Sequence, residues 1–311
     1  MSILVQEILK GNPRAIAKGI SLVENDGREA QELMKKVFPH TGRSVLIGIT
    51  GASGSGKSTL VDRLIDKLRE EEKKIGIVAV DPSSPFHGGA ILGDRIRMMR
   101  HSADPEIFIR SMATRGQLGG LAKASSDAIA ILEAAGKDVI LVETVGVGQD
   151  EVDVVKLTDI VLVVLIPGAG DDIQAFKAGI MEIADIFVLN KADSPEIGKT
   201  ERHLRAVLDL SSNEKSLTPV VKTISTEGKG IENLLKEIEK LIGAQSQKLQ
   251  VCKKKEHIAY TLREIIQEKI YHSIKKNVQD TEFKKFVEKI YNREADPYTI
   301  ADEIVRRLKG D

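Results

Sequence analysis

Residues 44–58 constrain this chain more than any other stretch. An apolar run over 44–50 ends in Gly51-Ala52-Ser53-Gly54-Ser55-Gly56-Lys57-Ser58-Thr59, and a helical pattern opens at Lys57 and runs to 71. The pattern G-x-x-x-x-G-K-[ST] between a strand and a helix is a loop for wrapping phosphate. Its glycines let the backbone turn N–H groups inward, and the helix N-terminus adds a favourable dipole. Lys57 is expected to reach the β- and γ-phosphates and the Ser58 hydroxyl to bind Mg²⁺.

The pattern around this loop fits the same fold. Aliphatic runs at 44–50, 75–80, 107–111, 138–143, 159–166, 185–190 and 219–224 alternate with helical stretches. Several, such as 160–166, are apolar at every position, as strands are when helices cover both faces of a parallel sheet. The alternation predicts an α/β, doubly wound, mostly parallel sheet. Residues 1–42 read as a helical segment, with Asn12-Pro13 as an N-cap and first helical residue. Residues 43–243 read as the nucleotide domain. Beyond a linker at 244–247, residues up to 311 read as a helical arm. Its apolar stripes (Ile258, Leu262, Ile265, Ile266; Phe283, Phe286, Val287, Ile290; Ile300, Ile304, Leu308) either pack on the domain or meet a second copy.

Composition narrows the partners. Lys+Arg and Asp+Glu both total 46, so nothing electrostatic calls for nucleic acid or a membrane surface. The longest apolar run stops at Pro167, too short to cross a bilayer. The single cysteine, Cys252, forms no internal disulfide or zinc cluster, which suits a reducing, cytoplasmic setting.

Asn190-Lys191-Ala192-Asp193 follows the run 185–189 and reads as a guanine-recognition box. A carboxylate at Asp193 accepts from guanine N1–H and the 2-amino group, where adenine has no such pair of donors. Ser225-Thr226, after the next strand, stands where a loop would back the base. Glu143-Thr144-Val145-Gly146 ends another strand: Glu143 is placed to hold the Mg²⁺ shell and the Gly146 N–H to touch the γ-phosphate. Asp81 and Asp94 are further acids for the metal side. Asp94, like an ordinary helix cap, also has a purely structural reading. Val147 stands where Ras-like proteins carry a water-positioning glutamine, and nothing aims the nearby Gln149, so hydrolysis unaided by a partner is expected to be slow. The six histidines show no metal-ligand spacing. Arg97 is a candidate for stabilising transition-state charge, and Arg100 reads as a surface ion-pair residue.

Taken together, Asp81-Pro-Ser-Ser-Pro85, the stretch 88–98, Glu143-Thr-Val-Gly-Val-Gly-Gln149 and Pro167-Gly-Ala-Gly-Asp-Asp-Ile-Gln174 resemble the MeaB/ArgK family, SIMIBI-class GTPases associated with methylmalonyl-CoA mutase. The resemblance covers nearly the whole chain. It implies a homodimeric G-protein chaperone that uses GTP to gate adenosylcobalamin delivery to a cobalamin-dependent acyl-CoA mutase and to protect that enzyme. It implies roles for Lys57 and Ser58 at phosphate and metal, for Asp81, Asp94 and Glu143 around the metal and the attacking water, and for Arg97 in the first switch. Asp171, Gln174 and Lys177 match a third switch that couples nucleotide state to the mutase. The chain departs from the family at Ala178, where a second lysine is usual, and at Thr226, where alanine is usual. Two other readings compete: a P-loop kinase linked to basic amino-acid transport, against which the guanine box argues, and a nickel-insertion GTPase, against which the lone cysteine argues.

Overall fold

The computed structural model describes residues 1–25, 27–81, 99–113, 120–144, 157–167, 180–210, 217–244, 247–278 and 280–309. All seven expected strands form: β1 Val45–Gly51, β2 Ile75–Asp81, β3 Ile107–Ala113, β4 Val139–Thr144, β5 Ile160–Leu165, β6 Ile186–Leu189 and β7 Val220–Lys222. They make one sheet in the order β3-β2-β4-β1-β5-β6-β7, parallel at every pairing. Parallel neighbours need crossover connections. Helices α1 Ser2–Leu9, α2 Pro13–Glu24 and α3 Arg28–Val37 precede β1; α4 Lys57–Glu70, α5 Gly120–Ala134, α6 Ile180–Ile183 and α7 Ile197–Leu210 lie between strands; and α8 Ile231–Ala244 follows β7.

Side chains alternate across each strand, which sorts the core into layers. Ile47 and Ile49 of β1, Ile75 and Ile77 of β2, Leu162 and Val164 of β5 and Val188 of β6 face α4 and α8, meeting Leu60, Leu64, Leu234 and Ile238. On the opposite face Val78, Val80, Ile140 and Val142 pack against α5 and the three N-terminal helices, through Ile131, Leu132, Ile16, Ile20 and Leu33. Farther along that face Val161, Val163 and Leu165 meet Leu204 and Leu208 of α7. The N-terminal helices are therefore part of a sheet layer. Asn12 caps α2 as its sequence suggests, its side chain accepting from the N–H groups of Arg14 and Ala15. Arg110 of β3 fastens α2 further, donating to Glu24 Oε1 at 3.1 Å and to Ser21 Oγ at 3.1 Å.

Three aspartates fix the register where the strands begin. Asp138, Asp159 and Asp185 each precede a strand by one residue. Each accepts a backbone N–H from the neighbouring strand's start: Lys74 at 2.7 Å, Leu46 at 2.9 Å and Val161 at 2.9 Å respectively. An N–H entering a parallel sheet has no ladder partner of its own, and a carboxylate is a strong acceptor for it.

The chain divides into two compact units, Met1–His257 and Ile258–Asp311. Helix α9 spans Gln247–Asn277, followed by α10 Asp280–Tyr291 and α11 Pro297–Lys309. The second unit has its own small core of Val278, Phe286, Ile300 and Ile304. Ile258, Leu262, Ile266 and Ile270 are exposed at every fourth position of α9, and Phe283 and Val287 are exposed on α10. No helix among the described residues is long and apolar enough to cross a membrane.

The register clamps are separately testable. Asp159→Ala deprives the Leu46 N–H of its acceptor and is expected to lower stability by about 1–3 kcal/mol, the cost of an unmade bond at a partly buried group. Urea unfolding measures it, and an unchanged midpoint would contradict the role assigned to Asp159.

Candidate nucleotide-binding site

Strand order reverses around β1: β2, the next strand in sequence, lies to one side beyond β4, and β5 to β7 lie on the other. In an open α/β sheet the crevice at such a switch point, at the strands' carboxyl ends, is where ligands bind. The loop after β1 opens there, with the ends of β4 and β5 on either side.

The loop's glycines do what other residues would not. Gly51, Gly54 and Gly56 have φ of 150°, 77° and 90°. A Cβ on Gly51 would lie 2.3 Å from the Val164 carbonyl oxygen, and one on Gly56 would lie 2.4 Å from Asn190 Nδ2. No side chain fits either place, so the backbone is free to curl and present its N–H groups at the start of α4. Lys57 is 5% exposed, and its ammonium donates to the carbonyls of Gly51 at 2.8 Å and Ala52 at 3.0 Å. The charge is thus folded back across the loop that Lys57 closes.

Ser58 and Glu143 meet as the sequence implies. The Ser58 hydroxyl donates to Glu143 Oε1 at 2.6 Å, and both residues are buried. A hydroxyl that donates its hydrogen to an acid is oriented so that its oxygen can face a cation. A buried hydroxyl and carboxylate side by side are the hard oxygen donors that Mg²⁺ prefers, so these residues fit the metal. Thr50 and Thr144, near the ends of β1 and β4, are joined at 3.1 Å between hydroxyls. Asp81 closes β2, whose preceding residue, Val80, pairs with Thr144, so its backbone ends beside Glu143's strand. Asp94, Arg97, Gly146, Asp171, Gln174 and Lys177 lie outside the described residues. Among the described residues no three His, Cys, Asp or Glu gather as a metal centre.

Asn190 joins the phosphate side to the base side. It is 2% exposed, and its amide is used at both ends. Nδ2 donates to the Ser55 carbonyl at 2.9 Å. Oδ1 accepts from Thr223 Oγ1 at 3.1 Å, Ser225 N at 3.2 Å and Ser225 Oγ at 2.8 Å. The Ala192 N–H donates to the Thr223 carbonyl at 3.0 Å, so the box and the loop 225–226 are bound edge to edge. Lys191 sits at φ 54°, a left-handed conformation that costs a β-carbon-bearing residue roughly 1–2 kcal/mol. Such outliers concentrate at ligand sites. Lys191 and Asp193 are exposed at the mouth. Lys229 stands near by: its ammonium is held above its ordinary value first by a hydrogen bond to Glu227, with Asp193 adding a smaller attraction.

Two arginines and a threonine complete the surroundings. Arg100 binds Asp62 and Asp66 of α4 at 2.6 Å each, an ion pair that raises its pKa, as its reading as a surface residue implied. His101 shares Asp62 at 2.8 Å. Arg63, also on α4, donates to the carbonyls of Ser225 and Thr226. Neither Arg63 nor Thr223 carries a motif signal. Thr223 is findable only as a hydroxyl two residues before Ser225, and Arg63 has no sequence mark at all.

A phosphate loop, a hydroxyl–carboxylate pair and an N-K-x-D box bolted together at the switch point define a P-loop nucleotide-binding protein of the GTPase type. Comparison with known proteins gives its family. Residues 16–279 match the model of the methylmalonyl Co-A mutase-associated GTPase MeaB, and the chain belongs to that family. It is 48% identical over 314 residues to a protein of Pyrococcus abyssi named as a candidate GTPase, covering 99% of this chain and 96% of that one. It is 39% identical over 193 residues to the GTPase ArgK of Escherichia coli, covering 61% of this chain and 58% of the other. The crystal structure of an LAO/AO transport system kinase has the same fold, with a TM-score of 0.74 over 99% of this chain and 97% of that one, at 23% identity.

Removing the Asn190 amide tests the joint. Asn190→Ala leaves the Ser55 carbonyl and the Thr223 and Ser225 hydroxyls without their partner. It is expected to cost about 1–3 kcal/mol of stability and to weaken nucleotide binding. Urea unfolding and GDP titration of the same variant measure both, and a variant unchanged in both would contradict the joint.

Proposed function

We propose that this chain is a cytoplasmic, Mg²⁺-dependent GTPase that acts as a chaperone for a cobalamin-dependent acyl-CoA mutase, gating adenosylcobalamin loading and protecting the enzyme. The observation that carries the GTPase reading is the Asn190 joint: the first residue of the 190–193 box bonds both the Ser55 carbonyl of the phosphate loop and the Ser225 N–H of the base loop. The family's description as mutase-associated supports the partner.

In this reading the loop N–H groups hold the phosphates, and the Lys57 ammonium exchanges the Gly51 and Ala52 carbonyls for β- and γ-phosphate oxygens. Its charge then meets the charge that develops as the bond from the γ-phosphorus to the bridging oxygen breaks. Ser58 and Glu143, with Asp81 and Asp94, would hold Mg²⁺, which when bound neutralises phosphate charge. Arg97 in the first switch and the Gly146 N–H act on the γ-phosphate. Asp171, Gln174 and Lys177 form the third switch. A partner that prefers one nucleotide state must shift the affinity for that nucleotide in return.

The measurement is GTP turnover with and without methylmalonyl-CoA mutase. The mutase is expected to accelerate turnover. Lys57→Ala should fall at least about a hundredfold, the scale of losing one charge-stabilising group. Gln174→Ala and Lys177→Ala should blunt the acceleration while sparing GTP binding. Equal stimulation of the wild type and both switch variants would remove the third switch, and no stimulation by any cobalamin-dependent acyl-CoA mutase would remove the chaperone role.

The chain acts as a homodimer in this proposal. The exposed row Ile258, Leu262, Ile266 and Ile270, with Phe283 and Val287, is apolar surface of the kind that is buried against a partner. Light scattering on the full chain should give a dimer, and Leu262→Glu with Ile266→Glu should give a folded monomer. A full-length monomer, or a double variant that stays dimeric, would contradict it.

A further inference from the structure

Arg63 is placed to do more than pair on the surface. It lies on α4, six residues after Lys57, with its side chain 35% exposed. Its Nε donates to the Ser225 carbonyl at 3.1 Å and its Nη2 to the Thr226 carbonyl at 2.8 Å. The third guanidinium nitrogen lies 3.6 Å from Asp66. The planar fork thus takes two successive carbonyls of one tight turn, a geometry that a lysine's single ammonium does not reproduce.

Taking the carbonyls fixes the N–H groups. In a trans peptide the C=O and the following N–H point in opposite directions across the peptide plane. With the Ser225 carbonyl drawn towards α4, the Thr226 N–H is aimed away from it. The Ser225 N–H is already given to Asn190 and the Glu227 N–H to the Ile224 carbonyl. Among the described residues the Thr226 N–H has no protein acceptor. It is a held donor, on an exposed turn beside the 190–193 box.

Guanine's edge presents two donors, the 2-amino group and N1–H, and then an acceptor, O6. If Asp193 takes the two donors, the next position on the edge calls for a donor. Adenine carries an amino donor there and would be repelled by one. Resting on the guanine reading of Asp193, we propose that Arg63 is a positioning residue for guanine recognition. It clamps the Ser225–Thr226 turn so that the Thr226 N–H faces O6, and it binds the base-reading loop to the same helix whose first turn carries Lys57 and Ser58.

The test is calorimetric titration of wild type, Arg63→Ala and Arg63→Lys with GDP, IDP, 6-thio-GDP and ADP. IDP keeps O6 and lacks the 2-amino group; 6-thio-GDP keeps both donors but has sulfur, a weaker acceptor, in place of O6. Arg63→Ala is expected to weaken GDP and IDP alike by about fivefold to tenfold, the scale of one hydrogen bond, and 6-thio-GDP much less. Arg63→Lys should fall between, since it keeps the charge and loses the fork. Equal losses for GDP, IDP and 6-thio-GDP would show that Arg63 only supports α4, and no loss for any would show that the turn holds itself; either overturns the proposal. A wild type that binds ADP as well as GDP would instead remove the guanine reading of Asp193, and the proposal with it. A far-ultraviolet dichroism spectrum and urea midpoint near those of the wild type establish that each variant is folded.

Discussion

The Asn190 side chain is the contact on which the rest of the site depends. One buried amide spends its donor on the phosphate loop and its acceptor on Thr223 and Ser225. Each bond on its own is modest. Inside the protein, though, a network of this kind is costly to leave half made, so its members are placed together or not at all. The Gly56 Cβ position, 2.4 Å from the same amide nitrogen, shows how closely the loop is drawn against it. A ligand that bridges phosphate loop and box therefore meets two surfaces already set relative to each other, which reduces the ordering that binding must supply.

The sheet makes this meeting possible. Because every strand is parallel, the segments after β1, β4, β6 and β7 all leave from the same end, and the strand order sets them side by side. The aspartates at positions 138, 159 and 185 fix the register at the other end. A slip of one residue would exchange the two faces of a strand, carrying Ile49 or Val164 out of the α4 layer and moving the loops with them. Register at one edge thus determines geometry at the other.

Much of this was legible in the residues. The uninterrupted apolar run at 160–166 marks a strand covered on both faces, and it forms β5 with every residue buried. The phosphate loop and the N-K-x-D box are short, local patterns whose chemistry is carried by residue type, so their existence is read directly. What was not legible is how they touch. Asn190 meets Ser55 across 135 residues and Arg63 meets Ser225 across 162, and no local pattern encodes either contact. Asn190 itself reads as part of a base-binding box, whereas its side-chain hydrogen bonds lead inward to two protein segments, the phosphate loop and residues 223–225. The helical periodicity after 257 was plain, yet the stripe divides: Phe286, Ile300 and Ile304 close a small core of their own, while Ile258 and Leu262 stay exposed. Periodicity identifies an apolar face and does not say which neighbour covers it.

The central claim is that phosphate loop, box and base loop respond to nucleotide as one body. Amide hydrogen exchange with and without GDP and Mg²⁺ tests this most directly, because it reads each segment's opening separately. The account predicts that nucleotide slows exchange together at 52–58, 190–193 and 223–227, and that Asn190→Ala confines the protection to the phosphate loop. Protection limited to 52–58 in the wild-type protein would contradict it.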